Sequence, residues 1–265
     1  MLINGDHHVH STVSDGKNTP LENVRQAEAI GLQKLTLVEH VRADTDWVDA
    51  FETTLQSLQQ KSHLELRGGL EAKLLRANGL CDVPAGIESK ESMRLYLADH
   101  RFIYGDQAIT PAIAKQHMCA KKFSLANAVE MVVQSTMAAM ERYPASVIAH
   151  LFSILPKIGA SEEEHISEEH LRALARCAKK NACIIEIDER WRCPSLRTAL
   201  FFVDEGVEVL ASSDAHRKED IGQYTHVRDV YEGITKHLAR THQKSERLAH
   251  MLKIGAMPKV SRVVA

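Results

Sequence analysis

The sequence predicts a single-domain α/β protein whose parallel strands close, or nearly close, into a barrel. Three observations carry this reading. Seven short apolar stretches alternate with stretches of helical periodicity, and each strand candidate delivers His, Asp or Glu at its end. No linker, internal repeat or low-complexity tract divides the 265 residues. Strand–helix alternation argues for parallel pairing with crossover helices. In closed sheets of this kind the chemistry collects at the C-terminal strand ends.

The first strand follows Met1, Leu2 and Ile3 and leads into Asp6-His7-His8-Val9-His10-Ser11. Side chains two apart on a strand share a face, so His8 and His10 can face one ion while His7 points away. Ser14-Asp15-Gly16 reads as a turn. Thr19 as N-cap, Pro20 at the first helical position and Glu22 at the third start a helix that stops near Gly31. The second strand, Lys34-Leu35-Thr36-Leu37-Val38, delivers Glu39 and His40. Residues 46–61 predict a helix with Trp47, Phe51, Leu55 and Leu58 on one face.

The third strand, residues 64–70, ends at Glu71. A turn at Arg76-Ala77-Asn78-Gly79 and a short helix over 88–93 precede a fourth strand, 94–98, that delivers Asp99 and His100. Residues 101–122 show no regular pattern, and 123–142 form a helix capped by Ser124. The span 101–145 is expected to be an insertion capping the active-site face. The fifth strand, 146–149, delivers His150. A helix over 167–179 leads to a strand at 182–185 that delivers Glu186, and a helix over 194–204 leads to a strand at 208–211. That last strand delivers Ser213-Asp214-Ala215-His216, and a polar-faced helical tail covers about 228–254.

Composition narrows the function classes. The chain is 44% hydrophobic and 26% charged, ordinary for a globular protein, with a formal net charge of −2. Nothing in that balance favours capture of nucleic acid or of an acidic membrane surface. Five cysteines are scattered without C-x-x-C spacing, which suits free thiols in a reducing compartment. No apolar run reaches membrane-spanning length and the N-terminus lacks a signal-peptide pattern, so a cytoplasmic location is expected.

Collected in order, the candidate ligands are His8, His10, Asp15, His40, Glu71, His100, His150, Asp214 and His216. Imidazoles and carboxylates in this mixture suit zinc, iron and manganese. The pattern resembles the PHP (polymerase and histidinol phosphatase) family. The matching pieces are His-x-His at 8 and 10, Ser-Asp-Gly around Asp15, Glu-His ending at 40, and Ser-Asp-Ala-His ending at 216. The resemblance covers residue 2 to about 222 and implies a distorted (β/α)7 barrel holding two to three divalent ions (Mn, Fe or Zn). By the same resemblance His8, His10, Glu71 and Asp214 would hold one ion, and Glu71 would bridge to a second held by His100 and His150. Asp15, His40 and His216 would hold the third. The chain departs from many relatives at Glu39, where they carry Asp, and in the Leu97-Ala98-Asp99-His100 step. On a strand Glu39 faces away from His40, so it is read as supporting the ligands and not as one of them.

The expected activity is metal-dependent hydrolysis of a small phosphate monoester, hydroxide generated at the ions attacking phosphorus in line with the departing alkoxide. Two ions about 4 Å apart suit water activation and a phosphoryl clamp, and a doubly charged ester needs several cations around its transition state. Asp214 and His216 are the expected proton carriers. Arg192 and Arg217 are the first choices for binding phosphate, followed by Arg190 and Arg101, with Arg42 also beside a ligand histidine. Histidinol phosphate, nucleotides and sugar phosphates are the candidate substrates. A homo-oligomer is compatible with the sequence, whereas stable nucleic-acid or membrane binding is not expected. Glu186 is left outside the ligand set as a residue orienting a ligand or an arginine, and Trp191 is read as packing against its neighbours. The alternatives are a phosphodiesterase, an amidohydrolase-type C–N hydrolase, and a non-catalytic binding protein on a decayed barrel.

Overall fold

Seven parallel strands form one sheet whose order around the barrel follows the chain. The computed structural model describes residues 3–87 and 92–240. The barrel strands are β1 (Gly5–Val9), β2 (Lys34–Val41), β3 (Glu65–Lys73), β4 (Met93–Ala98), β7 (Val147–Ala149), β8 (Ile184–Asp188) and β9 (Val209–Ser212), paired in that order. The ends of the sheet meet where the His10 N–H donates to the Ala215 carbonyl at 2.9 Å, beside a parallel bridge between Val9 and Ala215. The result is a nearly closed (β/α)7 barrel, as the alternation predicts.

The helices are α1 (Pro20–Ala29), α2 (Val48–Gln59), α4 (Leu125–Arg142), α7 (Glu168–Lys180), α8 (Leu196–Glu205) and α9 (His226–Arg240), with short α3 (Pro111–Cys119), α5 (Leu155–Ile158) and α6 (Glu162–His165) between them. Their starts are written in the sequence. Thr19 and Glu22 form the reciprocal capping box of α1, Ser124 accepts from Asn127 N–H at α4, and Ser167 caps α7. Apolar stripes such as Phe51, Leu55 and Leu58 of α2 bury against the outer sheet face.

A second, smaller apolar cluster fills the barrel itself: Val38, Tyr96, Ala98, Val147, Ala149, Ile184 and Leu210. By strand alternation His40 shares a face with Val38, and Glu186 with Ile184. The plug therefore lies beneath the strand-end groups, and the Tyr96 hydroxyl donates to the His7 carbonyl at 2.7 Å within it. This packed floor keeps the site at one mouth of the barrel.

Several expectations need correction. β2 and β3 run on through His40 and Glu71, so these side chains sit within strands. The stretch 101–122 is regular: β5 (Phe102–Tyr104) and β6 (Gln107–Ile109) form an antiparallel hairpin, and Thr110 caps α3 with Pro111 at its first position. α4 packs against α7 as part of the crossover between β4 and β7. The predicted short helix at 88–93 falls mostly outside the described residues, and Met93 already belongs to β4; of the predicted tail, 241–254 lies outside them too. His7 does not simply point away. The β1–β2 register shifts between Asp6 and Val9, and His7 Nδ1 lies 3.3 Å from Thr36 Oγ1, on the face that Val38 and His40 share. Burial and the neighbouring Lys34, Arg67 and Arg94 push its pKa down to about 3. Among the described residues no helix is long and apolar enough to cross a membrane.

Candidate metal centre

The strand ends converge on one carboxylate. Glu71, 1% exposed, has Oε1 2.9 Å from His150 Nε2 and 3.1 Å from His100 Nε2. Its Oε2 lies 2.9 Å from His40 Nδ1, 3.4 Å from His10 Nε2 and 3.5 Å from His8 Nε2. Five imidazoles from β1 and the residue after it, β2, and the loops after β4 and β7 thus surround a single glutamate. Asp214 closes the cluster on one side, with Oδ1 3.2 Å from His10 Nε2 and 3.5 Å from His216 Nδ1. Asp15 closes it on another, 3.5 Å from His40 Nε2 and 3.4 Å from His216 Nε2. All nine predicted groups are brought together.

The donor set fits divalent ions. Three subsets have ligand atoms within 4.8 Å of one another: His8, His10 and Glu71; His40, Glu71 and His100; and His10, Asp15, His40 and His216. These overlap the three-ion division read from the sequence only in part: His40 also reaches Glu71, His10 joins Asp15, His40 and His216, and neither His150 nor Asp214 falls within a subset. Hydrogen bonding alone does not satisfy the cluster. A carboxylate offers about four acceptor positions, and Glu71 Oε2 and His10 Nδ1 are buried without an aligned hydrogen bond. His8 Nε2 and His10 Nε2 face each other at 3.1 Å. With Nδ1 donating to Glu186 Oε1 at 2.7 Å, the neutral form of His8 would present its Nε2 lone pair to the cluster. Inward lone pairs and orphaned carboxylate oxygens are what a cation would satisfy.

The electrostatics of the cluster are set by burial and by the pairing of imidazoles with carboxylates. Burial raises the carboxyl of Glu71, but the charges of His100 and His8 outweigh it and hold its pKa well below the ordinary value. Burial alone would lower His8, yet Glu186 and Glu71 raise it well above the usual histidine range. His150 behaves alike through Asp99 and Glu71, whereas burial takes His10 down to about 4.

A layer of residues outside the cluster holds it in place. Glu186, fully buried on β8, accepts from His8 Nδ1 through one oxygen and from the His150 N–H, also at 2.7 Å, through the other. That second bond steadies a strand end where His150 has φ 33°, in the left-handed region. Asp99 accepts from Ser153 Oγ at 2.6 Å and lies 3.4 Å from His150 Nδ1. Glu39 accepts the N–H groups of Ser11 and Ser14, fixing the turn that carries Asp15. In that turn a Cβ on Gly16 would sit 2.5 Å from the His10 carbonyl oxygen. Trp191 does more than pack: its Nε1–H donates to Asp214 Oδ2 at 2.9 Å. Sequence reading left Glu186 open and missed Trp191 and Asp99; alternation on β8 was the one available signal, for Glu186.

The mouth opens into a cavity of about 560 Å³ whose walls include Arg190, Trp191, Arg101, Arg42 and Lys73. Arg190 Nη1 donates to the Asp214 carbonyl at 3.2 Å and contacts His216 Nδ1. Arg192 and Arg217, the first choices from sequence, are not among the lining residues; Arg217 pairs with Asp220 at 3.3 Å and Arg192 is exposed. Of the expected cap at 101–145, Arg101 contributes to the lining.

No family model and no curated protein matches the sequence. Among solved structures the chain is similar to histidinol phosphate phosphatase from Lactococcus lactis subsp. lactis Il1403, a complex with zinc, L-histidinol and phosphate. The match has a TM-score of 0.65 at 15% identity, covering 89% of this chain and 94% of that one. Weaker matches include a proposed metal-dependent phosphoesterase from Bifidobacterium adolescentis ATCC 15703 (TM-score 0.44, 18% identity, 89% and 96% covered). Another is N-isopropylammelide isopropylaminohydrolase from Burkholderia multivorans ATCC 17616 (TM-score 0.44, 13% identity, 86% and 59% covered). The chain has the barrel fold of the histidinol phosphate phosphatase, in keeping with the resemblance its motifs carry.

Proposed function

We propose that this chain is a metal-dependent phosphohydrolase acting on small phosphate monoesters. The observation that carries the reading is the convergence of five imidazoles on Glu71 beneath a cavity walled by cationic side chains. Divalent ions held by the nine groups would supply Lewis-acid polarisation of the phosphoryl oxygens and acidify a water to near-neutral pKa. Arg190, at the edge of Asp214 and His216, offers its guanidinium to the remaining phosphate oxygens. Asp214 directs Oδ1 at His10, and its Oδ2, held by Trp191, is placed to accept a proton from attacking water. His216 stands at the rim with Asp15, where it would help hold an ion, and its Nδ1 contacts Arg190, which keeps that guanidinium beside the cluster.

The group of His10, Asp15, His40 and His216 lies beyond what two ions around Glu71 require, and it favours phosphoryl transfer over C–N hydrolysis. A third cation helps neutralise a dianionic ester, a need that an uncharged amide lacks. The test is phosphate release by manganese- or zinc-loaded protein, with chelated protein as the blank, across nucleoside monophosphates, sugar phosphates, histidinol phosphate and phenyl phosphate. Release on the order of 100-fold or more above the blank is expected. No release from any ester by protein shown to carry metal would overturn the reading and turn attention to diesters and C–N bonds.

A further inference from the structure

We propose that the alcohol half of the substrate is itself anionic, carrying a second phosphate or a carboxylate beside a flat or apolar part. The inference rests on the phosphatase reading above and adds the charge of the leaving group, which that reading leaves open. It disfavours cationic alcohols, histidinol among them.

The argument is the distribution of charge around the cavity. The carboxylates in its lining are Asp15, Glu71 and Asp214, and all three are directed at the imidazole cluster. Beyond the cluster the ionised lining groups are cations. Arg42 follows β2, Lys73 ends β3 and Arg101 follows β4, so three neighbouring strands place three cations on one arc of the mouth. Arg190 stands across from them on the loop after β8. A phosphoryl group held by the ions and Arg190 therefore leaves its alcohol facing the arc.

The arc is fixed and only partly neutralised. Asp82 accepts from Lys73 Nζ at 2.9 Å and from the Ala43 N–H at 2.8 Å, which spends the lysine charge and anchors the loop carrying Arg42. Among the described residues no carboxylate lies within ion-pairing distance of Arg42 or Arg101. Asp44 and Asp46, in the same loop as Arg42, are not part of the lining. Guanidinium groups stay charged at any working pH, so Arg101, and Arg42 within the field of Asp82, bring net positive charge to the place where an alcohol would sit. The indole of Trp47, also in the lining, meets Phe51 edge-on at 5.9 Å and gives that alcohol an apolar wall. The cavity far exceeds the needs of a phosphate ion alone, so these side chains act on the rest of the molecule.

The experiment compares three aryl esters on metal-loaded protein: phenyl phosphate, 4-carboxyphenyl phosphate and 4-(aminomethyl)phenyl phosphate. The expected order of kcat/KM is anionic above neutral above cationic, with roughly tenfold or more between the ends. In the double variant Arg42→Gln, Arg101→Gln, both at exposed positions, the spread should shrink to about threefold or less, mainly through a higher KM for the carboxylate ester. Hydrolysis of phenyl phosphate without that order, or a spread that survives the double variant, overturns the inference while sparing the phosphatase reading. If metal-loaded protein hydrolyses none of the three, both fail together.

Discussion

Replacing Glu71 with Gln should strip the centre of its ions and lower turnover by on the order of 10³-fold. The substitution keeps the shape of the side chain and removes the one charge that five imidazoles approach within 3.5 Å. An amide nitrogen in its place would also turn N–H groups toward nitrogens that must present lone pairs. Metal content after gel filtration and kcat on the preferred ester check this. A variant that keeps its ions and its turnover within a few-fold would remove Glu71 from the centre.

The same substitution has a signature in chelated protein. The folded-state pKa of Glu71 is depressed, so its ion pairs add stability above the unfolded value of 4.5 and lose it as pH falls toward the folded value. Those of His8 and His150 are raised, so their contribution is complete below 6.5 and fades as pH rises toward the folded values. The stability difference between chelated wild type and Glu71→Gln should therefore be largest between about pH 4.5 and 6.5. Thermal melts of the two proteins across pH measure it.

Glu186→Gln should weaken metal binding by about 10- to 100-fold while leaving the direct ligands intact. Glu186 fixes the proton of His8 on Nδ1 and steadies the strained backbone at His150. Gln can present its amide NH2 to His8 Nδ1, which would move the imidazole proton to Nε2, the nitrogen facing the cluster. Activity at saturating metal should then recover much of the loss, because the defect lies in ligand orientation. A loss that excess metal does not relieve, with the fold intact, would assign Glu186 a different role.

Much of the fold was legible because its signals are local. Thr19-Pro20 with Glu22, and Ser124 before an apolar run, announce helix starts by chemistry that acts within one turn. The strands were legible because a parallel sheet covered on both faces needs short apolar runs, and each such run stopped at an ionisable group. The hairpin at 102–109 escaped notice because strands of three residues show too few alternations to read. The start of α3 did carry the same Thr-Pro signal as α1, at Thr110 and Pro111. The register shift in β1 was not readable at all, since it depends on how Asp6 and Val9 pair with β2, and it turns His7 toward Thr36.

The candidate ligands were legible as a set because nine groups recur at strand ends in order. Their division among ions was less so: His40 reaches both Glu71 and Asp15 across the mouth, a relation set by barrel closure and not by spacing. Arginines are harder still. Arg192 and Arg190 are two residues apart in one loop, and loop geometry alone decides that Arg190 faces the cavity. The outer layer around Glu186, Asp99 and Trp191 depends on contacts between distant segments, such as Trp191 with Asp214, that no local pattern encodes.

The most direct measurement is the number of divalent ions retained per chain after loading with manganese or zinc and desalting, by elemental analysis. A centre built on nine converging ligands predicts at least two ions per chain, lost on chelation together with ester hydrolysis and restored with it on reloading. Retention of no ion by folded protein, or ester hydrolysis that survives complete chelation, would contradict the account.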